Sequence, residues 1–215
     1  MIQKPTVVSE SEDFTYRVQK YILDKISQEQ FTELQRIVVA FQKHPHPTAV
    51  PDLAIRNVSL HIFMMLSHVI DGLLTEPSNT TLPFTQTGLD ALTKIVHFLV
   101  YIRYSTQLTI GELLHIDCLL SRLLSVEVKN KTEYHQTMVS IANLGTLLVC
   151  ASIIALKMNR DHSIKNTWWA TVFSVNLETL NQSEAVYLQN INFNCYMSCE
   201  HYRKLQTLLI GPEEH

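Results

Sequence analysis

Apolar residues recur along the chain at three- and four-residue spacing, in runs separated by proline-bearing or polar breaks. Phe31, Leu34, Ile37, Val38 and Phe41 keep a helical period. Ahead of them Ser27-x-x-Gln30 reads as a capping box, with Ile26 and Phe31 placed to staple across it. The segment "KHPHPTAVP" stops that helix, because each proline lacks a donor and turns its predecessor away from helix. A second helix is predicted from about Pro51 to Thr75, with the stripe Val58, Ile62, Met65, Leu66, Val69 and Leu73. "TEPSNTTLP" breaks it and reads as a linker. A third runs from about Gly88 to Tyr104 on Leu89, Leu92, Val96, Leu99 and Ile102.

Thr109-x-x-Glu112 is another capping box, stapled by Leu108 and Leu113, and opens a helix to about Leu124. The apolar segment after it forms the next helix, followed by a short polar loop containing "NTWWATVF". Asn176, with Val175 and Leu180 as its staple, caps a helix ending near Ile191, and Ser198 caps a last one to about Leu209. No alternating strand pattern, internal repeat or low-complexity tract interrupts this order. The pattern predicts an all-α protein of about eight helices.

One segment raises a second possibility. The 23 residues from Tyr134 to Leu156 carry no Asp, Glu, Lys or Arg. A membrane span needs roughly 20 apolar residues. However, His135, Gln136, Ser140, Asn143, Thr146 and Ser152 dilute the hydrophobicity, and no neighbouring segment matches it. A helix apolar all round also suits the centre of a helical domain. The sequence favours the buried central helix. Small residues there (Ala142, Gly145, Ala151, Ser152, Ala155) let flanking helices come close.

Composition narrows function mostly by exclusion. The net charge of −3 gives no bulk attraction to nucleic acid or anionic membranes. Five glycines are too few for glycine-loop nucleotide sites. Cys118 and Cys150 lie in apolar runs, and Cys195/Cys199 form a lone C-x3-C without the second pair a zinc site needs. Reduced core thiols in a reducing, intracellular compartment, cytoplasm or nucleus, are expected. No signal peptide is visible in "MIQKPTVVSESEDF", so the Asn-x-Ser/Thr triplets carry no glycosylation meaning. His44 and His46 read as solvated loop, and His61 and His68 as surface or interface histidines. His115, Asp117 and Cys118 mimic a triad only in sequence, since i, i+2 and i+3 on a helix do not converge. Trp168 and Trp169 fit an exposed anchor and a core contact equally well. No metal, cofactor, small-molecule ligand or catalytic group is expected.

Residues from "ALKMNRD" onward resemble the second half of a cyclin box, closest to the phosphate-pathway (PHO-type) cyclins. Ala155, Lys157 and Asp161 hold that family's Ala-x-Lys-x-x-x-Asp positions. Asn166, Trp168, Trp169 and Ala170 match its Asn, aromatic pair and Ala; Leu180, Asn181 and Glu184 match its Glu-Leu-Asn-x-Leu-Glu. Upstream, "FLVYIRYSTQLTIGELL" resembles the first box helix, and Arg122 in "LLSRLL" matches Tyr-Ile-Asp-Arg-Leu. Leu119 and Ser121 replace the tyrosine and aspartate of that motif, and Phe173 and Ser174 replace two glycines. The resemblance covers about Leu89 to Leu209 and implies a cyclin-box-like domain over 87–211, with an N-terminal helical extension over 1–86.

Two charges stand out within it. Leu177, Leu180, Glu184, Leu188 and Ile191 share one helix face, so Glu184 interrupts an apolar stripe. A carboxylate there is costly unless paired or at an interface. Lys157 ends the long apolar helix, where a cation suits the dipole. In the bland account Lys157 serves only the dipole, and Glu184 tilts to water. The resemblance implies instead that the two lie side by side and bind the backbone of a cyclin-dependent-kinase-like partner, with Leu180, Asn181 and Asp161 around them. It implies a heterodimer in which this chain regulates the kinase and does no chemistry. The alternative is a helical scaffold with the same fold that binds a different partner without activating a kinase.

Overall fold

The structure, a computed structural model, describes residues 50–74, 84–134 and 137–211. The helix expected near 31–41, His44, His46 and the linker 75–83 lie outside the described residues. The described residues form seven helices: α1 (Asp52–Val69), α2 (Gln86–Thr106), α3 (Ile110–Tyr134), α4 (Leu144–Asn159), α5 (Asn166–Val172), α6 (Leu177–Asn190) and α7 (Cys199–Leu209). An isolated bridge between Leu74 and Phe84 is the extent of strand pairing among them.

α1 stops at Val69, short of Thr75, because the chain turns back on the next helix. Ile70 is extended and Gly72 has φ +78°. The Thr85 hydroxyl donates to the Gly72 carbonyl at 2.6 Å, and the Thr85 amide donates to Leu73 O at 3.2 Å. Thr85 also caps α2, accepting from the Gly88 amide at 3.0 Å. Gly88 is required here: a Cβ would lie 2.0 Å from the Leu73 carbonyl oxygen. Of the expected α2 stripe, Leu92, Val96, Leu99 and Ile102 are buried and Leu89 is exposed.

The capping box of α3 forms as its sequence requires. The Thr109 amide donates to Glu112 Oε2 at 2.8 Å, the Glu112 amide donates to Thr109 Oγ1 at 3.3 Å, and Leu108 and Leu113 are buried beside it. The helix overruns the expected end at Leu124 by ten residues. The apolar period fades there, but nothing in "SVEVKNKTEY" breaks a helix.

The uncharged segment is a shorter helix than expected. Residues 137–143 form a connector, whose Met138 and Val139 amides donate to Glu127 Oε2 at 2.6 and 3.3 Å. Asn143 closes it, accepting from the Ser140 amide at 2.9 Å and donating to Met138 O at 2.6 Å. α4 then buries every residue from Leu148 to Leu156. Among the described residues no helix is long and apolar enough to cross a membrane.

The "NTWWATV" stretch, expected as loop, is the short helix α5. α6 and α7 begin at the expected caps: Asn176 Oδ1 accepts from the Thr179 amide at 3.1 Å, and Ser198 Oγ from the His201 amide at 3.1 Å. In packing, α3 lies against α1, α4, α6 and α7; α2 lies on α1 and α4; α6 lies on α4 and α5. One apolar core joins all seven helices, α1 included. Each large side chain fully buried in it contributes about 1.5–3 kcal/mol.

Candidate functional site

Lys157 stands in the last turn of α4, and Glu184 stands midway along α6, which packs on α4. The ammonium donates to Glu184 Oε1 at 2.7 Å and to Oε2 at 2.9 Å. The Lys157 side chain is 37% exposed and that of Glu184 12%. The carboxylate that interrupts the apolar stripe is therefore paired, and the pair reaches the surface.

Asn166, the first residue of α5, extends the cluster. Its Nδ2 donates to Glu184 Oε2 at 2.6 Å and to Asn181 Oδ1 at 2.8 Å. Sequence matching placed Asn166 in the family pattern but gave it no contact. Asn181 is exposed on α6. Leu180 is 1% exposed, so it lies beneath this surface and anchors the helix that carries Glu184 and Asn181. Asp161 is exposed, two residues past α4, with no hydrogen bond or ion pair among the described residues.

Polar contacts hold the end of α4 from the other side. Asn159 Nδ2 donates to Ala155 O at 2.6 Å and to His115 Nδ1 at 2.7 Å, so His115 carries its proton on Nε2 and donates it to Cys195 O at 2.7 Å. Burial holds the His115 imidazole below its ordinary pKa, which keeps that arrangement neutral. Arg160 reaches back to both carboxylate oxygens of Glu112 and to Thr106 O. Burial raises the Glu112 pKa, but hydrogen bonds from Arg160 and Thr109 outweigh it and hold the carboxyl below its usual range. Arg122 donates to the carbonyls of Asn194 and Tyr196, each at 2.6 Å, fixing the connector between α6 and α7.

Several other candidate residues have structural partners. Asp117 pairs with His61 across α3 and α1, through Nδ1 at 2.8 and 2.9 Å, and His115 faces elsewhere; no triad forms. His61, expected at the surface or an interface, is 5% exposed, because this carboxylate makes its burial tolerable. Cys150 is a core thiol pushed up to about 12 by burial and by the nearby Glu184 carboxylate, so it is inert at neutral pH. Trp169 is buried and stacks on Phe173 at 5.9 Å, with Trp168 partly buried against it at 5.1 Å. The tryptophan pair is thus a core contact. Among the described residues no group of three or more His, Cys, Asp or Glu side chains is arranged to hold a metal.

Among the described residues the geometry therefore offers a surface bearing a paired acid and base. The sequence model of the cyclin family matches residues 24–195. The chain belongs to the cyclin family. Cyclins are regulatory subunits. No curated protein and no solved structure gives a match. In this cyclin the matched residues take in α1 to α6 and end before α7. The position where the resemblance has an aspartate, Ser121, is half-buried on α3, and Leu119 is in the core. Arg103, buried on α2, bonds Asp52 and the Val50 carbonyl at the start of α1.

Proposed function

We propose that this cyclin is the regulatory subunit of a cyclin-dependent-kinase-like protein kinase, binding it as a heterodimer and activating it. The observation that carries this reading is the Lys157–Glu184 pair, formed between residues 27 apart in sequence and open to solvent on one side. Pairing keeps both charges in register while leaving hydrogen-bonding capacity unused. The ammonium has three donors, two of which go to Glu184. Charged groups of this kind bond a partner's exposed backbone and fix orientation. Apolar surface around them supplies most of the association free energy. Asn181 and Asp161 lie on the contact surface, and Leu180 supports it from below.

Docking there biases the kinase's mobile regulatory helix inward, so that its catalytic lysine and glutamate pair. Matching positions between Ala155 and Glu184 support a cyclin of the phosphate-pathway type. The chain acts inside the cell, in cytoplasm or nucleus, and catalyses nothing itself. Ser121 and Leu119, which depart from the family pattern, favour one competing reading: the same surface binds a different partner without activating a kinase. The test is reconstitution. Purified full-length chain is added to a panel of inactive cyclin-dependent-type kinases, and substrate phosphorylation is measured. At least one kinase is expected to be stimulated, and Lys157→Ala and Glu184→Ala to remove most of the stimulation. Binding without stimulation across the panel supports the scaffold reading instead.

A further inference from the structure

Four side chains around the docking surface form a directed chain of hydrogen bonds, and its direction is forced. Lys157 donates to both oxygens of Glu184, and an ionised carboxylate can only accept. Asn166 must therefore turn its NH2 group towards Glu184 Oε2. It does so although its own Oδ1 is left buried without a hydrogen-bond partner. The same NH2 group also donates to Asn181, so Asn181 must turn its oxygen inward to accept. The NH2 group of Asn181, an exposed residue, is then left facing outward.

We propose that Asn166 is a positioning residue that fixes the Asn181 amide so that the docking surface presents N–H donors, and that the matching partner surface is a run of free backbone carbonyl oxygens. The inference rests on the kinase-docking reading above and specifies the chemistry of what docks. Along this chain of hydrogen bonds the outward capacity is donor-rich: the third N–H of Lys157 and both N–H groups of Asn181, against the remaining lone pairs of Glu184; the exposed Asp161 carboxylate, an acceptor past the end of α4, makes no bond to the chain. Free carbonyls in a row occur in the last turn of a helix or along an open strand edge.

Asn181→Asp separates this idea from a purely structural role. An aspartate still offers one oxygen to Asn166 but puts an acceptor where the outward donor was. The probe is a purified cyclin-dependent-type kinase that the wild-type full-length chain activates, with affinity read by calorimetry and folding by thermal melting. Asn181→Ala removes one hydrogen bond, so a loss of about fivefold is expected. Asn181→Asp sets acceptor against acceptor, and a loss of about thirtyfold is expected, without a fall in Tm. Asn166→Ala frees the Asn181 amide to turn and is expected to lose about as much as Asn181→Ala. An Asn181→Asp chain that binds as well as Asn181→Ala overturns the donor assignment, and this comparison decides if Asn166→Ala does not fold. A folded Asn166→Ala chain with wild-type affinity overturns the role of Asn166. A wild-type chain that binds no kinase, or a Lys157→Ala chain that binds as wild type does, overturns the docking reading and this inference with it. Loss in Lys157→Ala with Asn181→Asp unaffected overturns this inference alone.

Discussion

Ser174 turns the corner between α5 and α6 at φ +52°, where a side chain crowds the backbone. Glycine is unhindered at that angle, so a single substitution relieves the strain. Ser174→Gly is expected to raise stability by about 0.5–1 kcal/mol, seen as a higher urea midpoint at unchanged slope; a lower midpoint contradicts the strain. His61 gives a pH-dependent prediction. Burial pushes its pKa down, but the charge and hydrogen bond of Asp117 outweigh that, and the net direction is up. A histidine raised in the folded state contributes stability that is fully present below its unfolded value, about 6.5. That contribution is lost as pH rises through the higher folded value. The stability advantage of wild type over His61→Gln is therefore expected to shrink as pH is raised from 6.5. Urea unfolding across that range checks it, and an advantage that grows with pH refutes the assignment.

At the level of elements, the starts of helices are set locally and their ends are not. The Thr109–Glu112 box, Asn176 and Ser198 each satisfy amides within three residues, so sequence spacing alone locates α3, α6 and α7 at their first turns. The end of α3 and the start of α4 depend on Glu127, buried within α3, which accepts amides 11 and 12 residues further on. No local pattern announces an acceptor at that distance, which is why the uncharged segment reads as one long helix. Glu127→Ala leaves the Met138 and Val139 amides without this acceptor and is expected to lower stability by about 2–3 kcal/mol. Hydrogen exchange is expected to show faster exchange first at 138–139; protection there equal to wild type contradicts the role given to Glu127. The short helix α5 was hidden for another reason. Seven residues are too few to show a period, and α5 is held by the burial of Trp169 and Ala170.

For the whole molecule, helical periodicity was enough to give an all-α fold and a buried central helix. It did not show that α1 shares the core, because the buried His61–Asp117 pair and the Asn57 bond to Leu209 O join residues far apart in sequence. The candidate site was legible in part: Lys157 and Glu184 stood out as charges on apolar helices, whereas Leu180 shares their pattern and is buried. Asn166 carries no local signal of its bridging contacts. The account's central claim is that Lys157 and Glu184 act together as one docking unit. A double-mutant cycle, reading affinity by calorimetry for a cyclin-dependent-type kinase that the full-length chain activates, tests it most directly. Lys157→Ala and Glu184→Ala are each expected to weaken binding at least about tenfold; Lys157→Ala also lowers Tm, because it leaves a carboxylate only 12% exposed without its ammonium, so affinity is read well below the melting temperature. The double variant is expected to bind within about threefold of the weaker single one, because the two effects are not additive. Wild-type affinity in both single variants, or losses that simply add, would contradict it.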